Sequence, residues 1–433
     1  MNTVSNITQK IINFLDTEVV RIAKSTGFTQ RHSKLIPSCF MKALLATCFS
    51  HTFNLTIFSS FLKEQGIKIT RQGLHERFNA RTERFLKELC SFCLKYFETE
   101  KLCDMPFLKG FRSINIVDSS TISLPSILNT LFKGSGGNAS EAALKIQVMF
   151  DYLEGQVKAL TLTSGCDNDQ GFNNYFKTIE KGALYLMDLG YFKLDSFKKI
   201  IEGGAFFVSR LLTGTKILIS EGKPIELIKM LSASGHFFSQ HFLIGVKDKI
   251  AVRLVAERLP DAIAEQRRRK LNESHRRRGR KPSSESLALQ TWSIYITNTN
   301  EMQINDKDIH KTYSLRWQIE LFFKLSKSLM NINSLQTQKI ERVLTEIYGK
   351  FIAMMLLFLI CAPVRYLHNK ELSLYKACKL LISKVNDFMR ALASLYRLKH
   401  FLSAFHEALS LFAIKDKKVI SKMKSDPLTG ESF

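Results

Sequence analysis

Tyr313, Arg316, Glu320 and Lys327 share one short stretch, Tyr313-Ser-Leu-Arg316-Trp317-Gln-Ile-Glu320-Leu-Phe-Phe-Lys324-Leu-Ser-Lys327, free of Gly and Pro. Asn305 and Asp306 lie just upstream, where a helix N-cap belongs. At about 100° per residue the four polar side chains fall within an arc of roughly 60°. Leu315, Ile319, Phe322, Leu325 and Leu329 fall on the other side and are expected in a core. One carboxylate then stands among two cations and a phenol. That face suits phosphodiester chemistry: the carboxylate can hold a hard divalent cation, the guanidinium can fork onto a phosphate, and the ammonium adds a point charge. An exposed amphipathic helix with an i,i+4 Arg316–Glu320 pair looks the same, so the stretch needs matching acids elsewhere.

Two aspartates answer that need. Ser113-Ile114-Asn115-Ile116-Val117-Asp118 alternates and then runs apolar like a strand, and the Ser119-Ser120-Thr121 that follows reads as a polar turn. Ala183-Leu-Tyr-Leu-Met187 runs apolar without alternation into Asp188, as a strand buried on both faces would. Between them, Leu144–Tyr152 and Val157–Thr163 around Gly155 read as a hairpin, and a helix is expected at Phe172–Lys181. Strand ending in Asp, hairpin, helix, central strand ending in Asp is a ribonuclease-H-like order. Its first and fourth strands are neighbours, and their carboxylates can share two metal ions. Asp167 and Asp169 form a rival pair, for which capping the following helix is the simpler role.

With Asp118 and Asp188 in place, the spacing Tyr-(2)-Arg-(3)-Glu-(6)-Lys resembles the signature of the insertion-sequence-4 family of DDE transposases. Asp118-Ser-Ser-Thr and Asp188-Leu-Gly-Tyr-Phe resemble that family's two aspartate motifs, although Leu189 stands where Gly is more usual. The resemblance covers roughly residues 50 to 365. It implies an acid triad of Asp118, Asp188 and Glu320 holding two Mg²⁺ (or Mn²⁺) ions, with Tyr313, Arg316 and Lys327 on the DNA phosphates. Trp292 would stack on a base flipped out during hairpin formation, and Arg210 counts as a further DNA contact. The implied partners are double-stranded DNA, as element ends and target, and a second copy of the chain. The implied activity is cut-and-paste transposition, and the alternatives are an inactive end-binding relative or a nuclease that does not join ends.

The elements that must position these residues follow from patterning. Residues 1–105 read as a helical DNA-binding domain. Within it, an apolar helix stops at Gly66 and Thr70 caps a second helix carrying Arg71, Gln72 and Arg77. That is a helix–turn–helix pattern, and an ordinary helical hairpin shares it. The α/β catalytic core takes 106–202 and 305–345, a β-rich insertion 203–304, and a helical C-terminal region 346–433. Inside the insertion, residues 267–281 hold nine Lys or Arg and one acid. This run reads as a phosphate-contacting patch in a segment, 258–284, expected to be flexible.

Lys and Arg number 63 against 39 acids, a formal charge of +24, which calls for a polyanionic partner. The apolar run Phe351–Val364 is fourteen residues, short of the roughly 20 that cross a bilayer, and reads as a buried helix. Cys90 and Cys93 lack a second ligand pair and read as buried thiols. The scattered cysteines and the absence of a signal segment favour a bacterial cytoplasm. The Lys-rich stretch from Lys415 reads as a polar tail.

Overall fold

The computed structural model describes residues 4–30, 34–50, 53–98, 108–136, 140–169, 179–219, 222–335, 337–367 and 370–415. Contacts divide the chain into two units, both discontinuous in sequence. A helical unit comprises Met1–Cys103, Ser119–Asp167 and Glu320–Lys417. A strand-rich unit comprises Asp104–Asp118, Asn168–Ile319 and Lys418–Phe433. The strands in chain order are β1 Ile114–Leu124, β2 Ala142–Asp151, β3 Gln156–Ser164, β4 Leu184–Met187, β5 Phe206–Arg210, β6 Ile217–Leu218, β7 Phe237–Ile244, β8 Ile250–Arg258 and β9 Trp292–Thr297.

In the strand-rich unit the strand order is β1-β4-β5-β9-β8-β7-β6. β1, β4 and β5 run parallel, and every later pairing is antiparallel, so the sheet is mixed. All four residues of β4 are buried, as the unbroken apolar run requires of a strand flanked on both sides. The β1–β4 ladder runs from Ile114↔Leu184 to Val117↔Met187, which makes the two expected strands direct neighbours. One expectation is corrected here. The chain stays extended through Ser119-Ser120-Thr121 to Leu124 instead of turning after Asp118. The β-branched pair Thr121 and Ile122 favours that extension, and Ile122 buries its side chain.

β9 is stitched to β5 by side chains as well as by the ladder. Asn298 accepts from Phe207 N (2.8 Å) and donates to Ala205 O (2.9 Å), and Thr297 Oγ1 donates to Phe207 O (2.6 Å). A second anchor escaped the sequence reading. Arg253 of β8 is only 1% exposed and pairs with Asp306, while donating to the carbonyls of Thr299 (3.2 Å) and Ile304 (2.8 Å). Asp306 opens the helix Asp306–Ser314, so one buried guanidinium ties the start of that helix to the sheet.

Most of the basic run is helical, residues 267–277, while 278–281 lie past the helix end. The helix is Asp261–Arg277, and a short helix Ser284–Leu289 follows. Ala, Glu, Gln, Arg, Lys and Leu are good helix formers, which outweighs the charge density. Two of its arginines hold it down: Arg268 donates to Leu287 O (3.3 Å) and Thr291 Oγ1 (2.8 Å), and Arg267 to Trp292 O (3.5 Å).

The helical unit contains the expected N-terminal pattern. Helix Leu55–Glu64 is followed by Gly66 at φ +80° and by helix Arg71–Arg77, whose cap Thr70 Oγ1 accepts from Gly73 N at 3.1 Å. Cys90 and Cys93 lie buried on helix Ala80–Tyr96, and burial pushes the Cys90 thiol up to about 12. β2 and β3 form the expected hairpin, with Gly155 at φ +69° in its turn. The apolar run belongs to a longer helix than expected, Ile340–Cys361. By length and composition alone this helix could cross a bilayer, yet 94% of its most apolar window is buried, against helices Ala80–Tyr96 and Pro37–Cys48. The Phe172–Lys181 helix and the polar tail fall largely outside the described residues.

Candidate active site

The end of the β1–β4 ladder sets the site. Val117 pairs with Met187, so Asp118, midway along β1, and Asp188, just past the end of β4, stand side by side where the ladder stops. Strand neighbours lie about 4.8 Å apart, which brings two carboxylates to one edge of the sheet. Both side chains are half-buried. Asp188 begins a 3-10 turn, Leu189–Tyr191, that carries the chain away from the strand. Asp169 reaches the same turn, its Oδ2 lying 3.8 Å from where a Cβ on Gly190 would stand. Asp167 instead closes its own loop by accepting from Ser164 N at 3.1 Å.

Arg316 comes to this edge from the far end of the chain. Its Nη1 stands 3.7 Å from Asp118 Oδ2, with both side chains largely covered. Its guanidinium carbon also lies 5.8 Å from the centre of the Tyr313 ring, so Arg316 is held between a carboxylate and an aromatic face. The expected single helix is interrupted at this point. Helix Asp306–Ser314 passes into a 3-10 turn, Leu315–Trp317, and an α-helix resumes as Gln318–Ser328. A 3-10 residue advances about 120° and an α residue about 100°, so three of them rotate the upstream turn by about 60°.

That rotation explains a correction. Tyr313, expected on the polar stripe, is 8% exposed and packs its ring 5.2 Å from that of Tyr295 on β9. Its hydroxyl is buried and has no hydrogen-bond partner among the described residues. Burial drives the phenol's pKa upward, Arg316 and Arg210 oppose the shift, and Asp188 adds to it. The phenol therefore feels the charge of Arg210, Arg316 and Asp188 together. Within the strand-rich unit the fold thus gathers Asp118, Asp188, Arg210, Tyr313 and Arg316.

Other expected residues sit elsewhere. Trp292 is the first residue of β9, pairs with Arg258 and is 9% exposed, so its ring belongs to the core. The other tryptophan, Trp317, is 44% exposed in the 3-10 turn next to Arg316. Arg71 and Arg77 are exposed in the helical unit. Arg77 lines a cavity of about 530 Å³ with Lys34, Lys68 and Arg81, and none of the described residues lining it is acidic.

Glu320 and Lys327 occupy the first and last turns of helix Gln318–Ser328 in the helical unit. The apolar face of that helix is the expected one, with Ile319, Phe322, Leu325 and Leu329 buried. Phe322 stacks on Phe351 (6.2 Å, 17°) and lies 6.0 Å from Phe358 and 6.3 Å from Phe150. Burying such a ring contributes about 1.5–3 kcal/mol and fixes which way Glu320 points.

Two half-buried carboxylates side by side have the hard-oxygen donors that Mg²⁺ or Mn²⁺ takes, and Arg316 offsets their mutual repulsion. Among the described residues no three His, Cys, Asp or Glu side chains are drawn together tightly enough to hold a metal ion by themselves.

Comparison with known proteins places the whole chain in a family. The family described as Transposase DDE domain matches residues 109–356, which includes every acid discussed above. The chain is 30% identical over 341 residues to the transposase for insertion sequence element IS231F of Bacillus thuringiensis subsp. israelensis, covering 72% of this chain and 71% of that one. To the IS231B transposase of Bacillus thuringiensis subsp. berliner it is 29% identical over 407 residues, 86% of this chain and 83% of the relative. The transposase for IS1151 of Clostridium perfringens is 27% identical over 445 aligned positions, 94% and 92% of the two chains. A DDE-domain match across more than half its length, with relatives aligned along most of theirs, makes this chain a member of the DDE transposases of insertion sequences, of the insertion-sequence-4 type.

Proposed function

We propose that the chain binds the terminal inverted repeats of its own element, cuts the strands there in a metal-dependent step, and joins the freed ends to target DNA. The observation that carries this is the pairing of Asp118 and Asp188 across the end of the β1–β4 ladder, with Arg316 on Asp118. Asp118, Asp188 and Glu320 would hold two divalent ions. When bound, these would lower the pKa of a water or 3′-hydroxyl and stabilise the leaving oxygen of an in-line displacement. Arg316 would fork onto the phosphate beside the acids, and the buried Tyr313 hydroxyl would donate to a phosphate oxygen, supplying a partner it lacks among the described residues. Lys327 would add charge at the end of the Glu320 helix. Arg71 and Arg77 would contact the repeat from the N-terminal helical region.

A hairpin route, with Trp292 receiving the flipped base, requires the start of β9 to open enough to uncover that ring. Two copies of the chain would pair two element ends. This reading keeps the five-part division into N-terminal DNA-binding domain, split catalytic core, insertion and C-terminal region.

The test uses purified protein and duplexes ending in the inverted repeats that flank its gene, with Mg²⁺ or EDTA, beside Glu320→Gln, on denaturing gels. Metal-dependent nicks that disappear in Glu320→Gln while end binding persists are the expected result. Binding without cleavage in either protein would identify an inactive end-binding relative. Hydrolysis without joining would identify a nuclease.

A further inference from the structure

The basic helix Asp261–Arg277 is not used by the site just described. Only Ala264 and Arg267 on it are buried. Arg267 and Arg268 face the body of the strand-rich unit, where their hydrogen bonds hold the helix in place. At 100° per residue, Arg269 and Arg276 then lie within about 20° of each other on the opposite face, and Lys270 and Arg277 form a second row beside them. All four are exposed. Members of a row are seven residues apart, about 10.5 Å along the axis. That is close to the ~12 Å width of the DNA major groove, so one row can reach phosphates on both of its banks.

Past the helix, Arg278, Arg280 and Lys281 extend the exposed positive surface. Lys270, Glu273, Ser274, Arg277 and Arg278 line a cavity of about 400 Å³ along it. The acids on the helix are Asp261, Glu265 and Glu273, and Arg269 pairs with Glu265 at 3.6 Å, with both side chains well exposed. So many cations in so few residues repel one another, and a polyanion relieves that repulsion.

The geometry points to a sequence-independent duplex-binding surface, made by Arg269, Lys270, Arg276 and Arg277, that grips the phosphate backbone of the target DNA. The occupant follows from the chemistry. Cation-to-phosphate contacts position a duplex but carry no sequence information. An element end has a fixed sequence to be read, whereas target DNA must be held whatever its sequence. The assignment to target rests on the transposase activity proposed above; the duplex-binding surface itself does not.

The experiment compares the full-length protein with a variant combining Arg269→Gln, Lys270→Gln, Arg276→Gln and Arg277→Gln, substitutions that keep helix propensity. Binding to a fluorescent 30-bp duplex of unrelated sequence is measured across a salt series. Each lost phosphate contact lowers the slope of log K against log[salt] by about 0.9, so the variant is expected to lose between three and four units of slope and at least tenfold in affinity at low salt. Binding and nicking of the inverted-repeat duplex are expected to stay as in the parent, and strand transfer of a pre-cut end to fall at least tenfold. Equal slopes in the two proteins would overturn the proposal. An equal loss on repeat and unrelated duplexes would overturn the assignment to target.

Arg280→Gln with Lys281→Gln, beyond the last helical residue, gives a second variant that does not depend on the helix staying folded. Its expected loss is up to two units of slope. If the parent makes no metal-dependent nick in its repeats, the proposed function fails, while the slopes on unrelated DNA still decide whether this surface binds a duplex.

Discussion

Arg316 Nη1 stands 3.7 Å from Asp118 Oδ2, and this contact joins the signature turn to the first acidic strand. The guanidinium is aimed by its position in the 3-10 turn and by the Tyr313 ring beneath it, 5.8 Å from centre to cation. Arg316→Ala is expected to slow end cleavage by about 10²-fold, the size of effect seen when one preorganised donor is removed from a transition state. Arg316→Lys is expected to restore little, because an ammonium cannot fork. Nicking rates on the repeat duplex, with circular dichroism to verify folding, decide the matter. An unchanged rate would leave Arg316 a structural role only.

Tyr313 offers a test that separates structure from function. Its hydroxyl is buried with no partner among the described residues, a state that costs about 1–3 kcal/mol. Tyr313→Phe removes that cost and keeps the packing on Tyr295. The melting temperature should therefore hold or rise, while cleavage falls as the donor to phosphate is lost. A variant less stable yet fully active would show that the hydroxyl serves the fold alone.

Arg253 anchors the start of helix Asp306–Ser314 to β8. Removing it leaves Asp306 and the Thr299 and Ile304 carbonyls without their donor inside the unit. Arg253→Met is expected to destabilise by about 3–5 kcal/mol, the usual consequence of breaking a buried ion pair from one side. Denaturant melts measure this directly. A shift below 1 kcal/mol would mean that water takes over the role of the guanidinium.

His406 predicts a pH dependence in the helical unit. Burial lowers its pKa, and its Nε2 lies 2.7 Å from Ile360 O of the long apolar helix. The folded protein therefore binds the proton less well than the unfolded chain does. Its stability contribution is full above the unfolded value near 6.5 and is lost as pH falls through the lowered folded value. Melting temperatures of the parent should drop between pH 7.5 and 5, and His406→Gln should flatten that part of the curve. Parallel curves would place the acid sensitivity elsewhere.

Much of the site could be read from local pattern, because local pattern is what the residues around it obey. A short apolar run of β-length such as Leu184–Met187, ending at an Asp and a Gly, reads as a strand covered on both sides, and it carries Asp188 to the end of that strand. Thr70 capping Arg71–Arg77, Gly155 turning the hairpin and the buried face of the Glu320 helix are equally local. Tertiary structure settled the rest. The 3-10 turn at Leu315–Trp317 swings Tyr313 off the polar stripe and against Tyr295, a rotation no uniform helical wheel anticipates. Trp292 is drawn into the core by its pairing with Arg258, a residue far behind it in the chain. Which face of the basic helix is held against the unit depends on Arg267 and Arg268 finding acceptors on Trp292, Leu287 and Thr291. Arg253 looks like one more surface cation until the fold brings Asp306 and two carbonyls around it. Periodicity and capping depend on neighbours within a few residues, so a sequence displays them. Whether a charged or aromatic side chain ends up buried depends on partners that only the folded chain brings within reach.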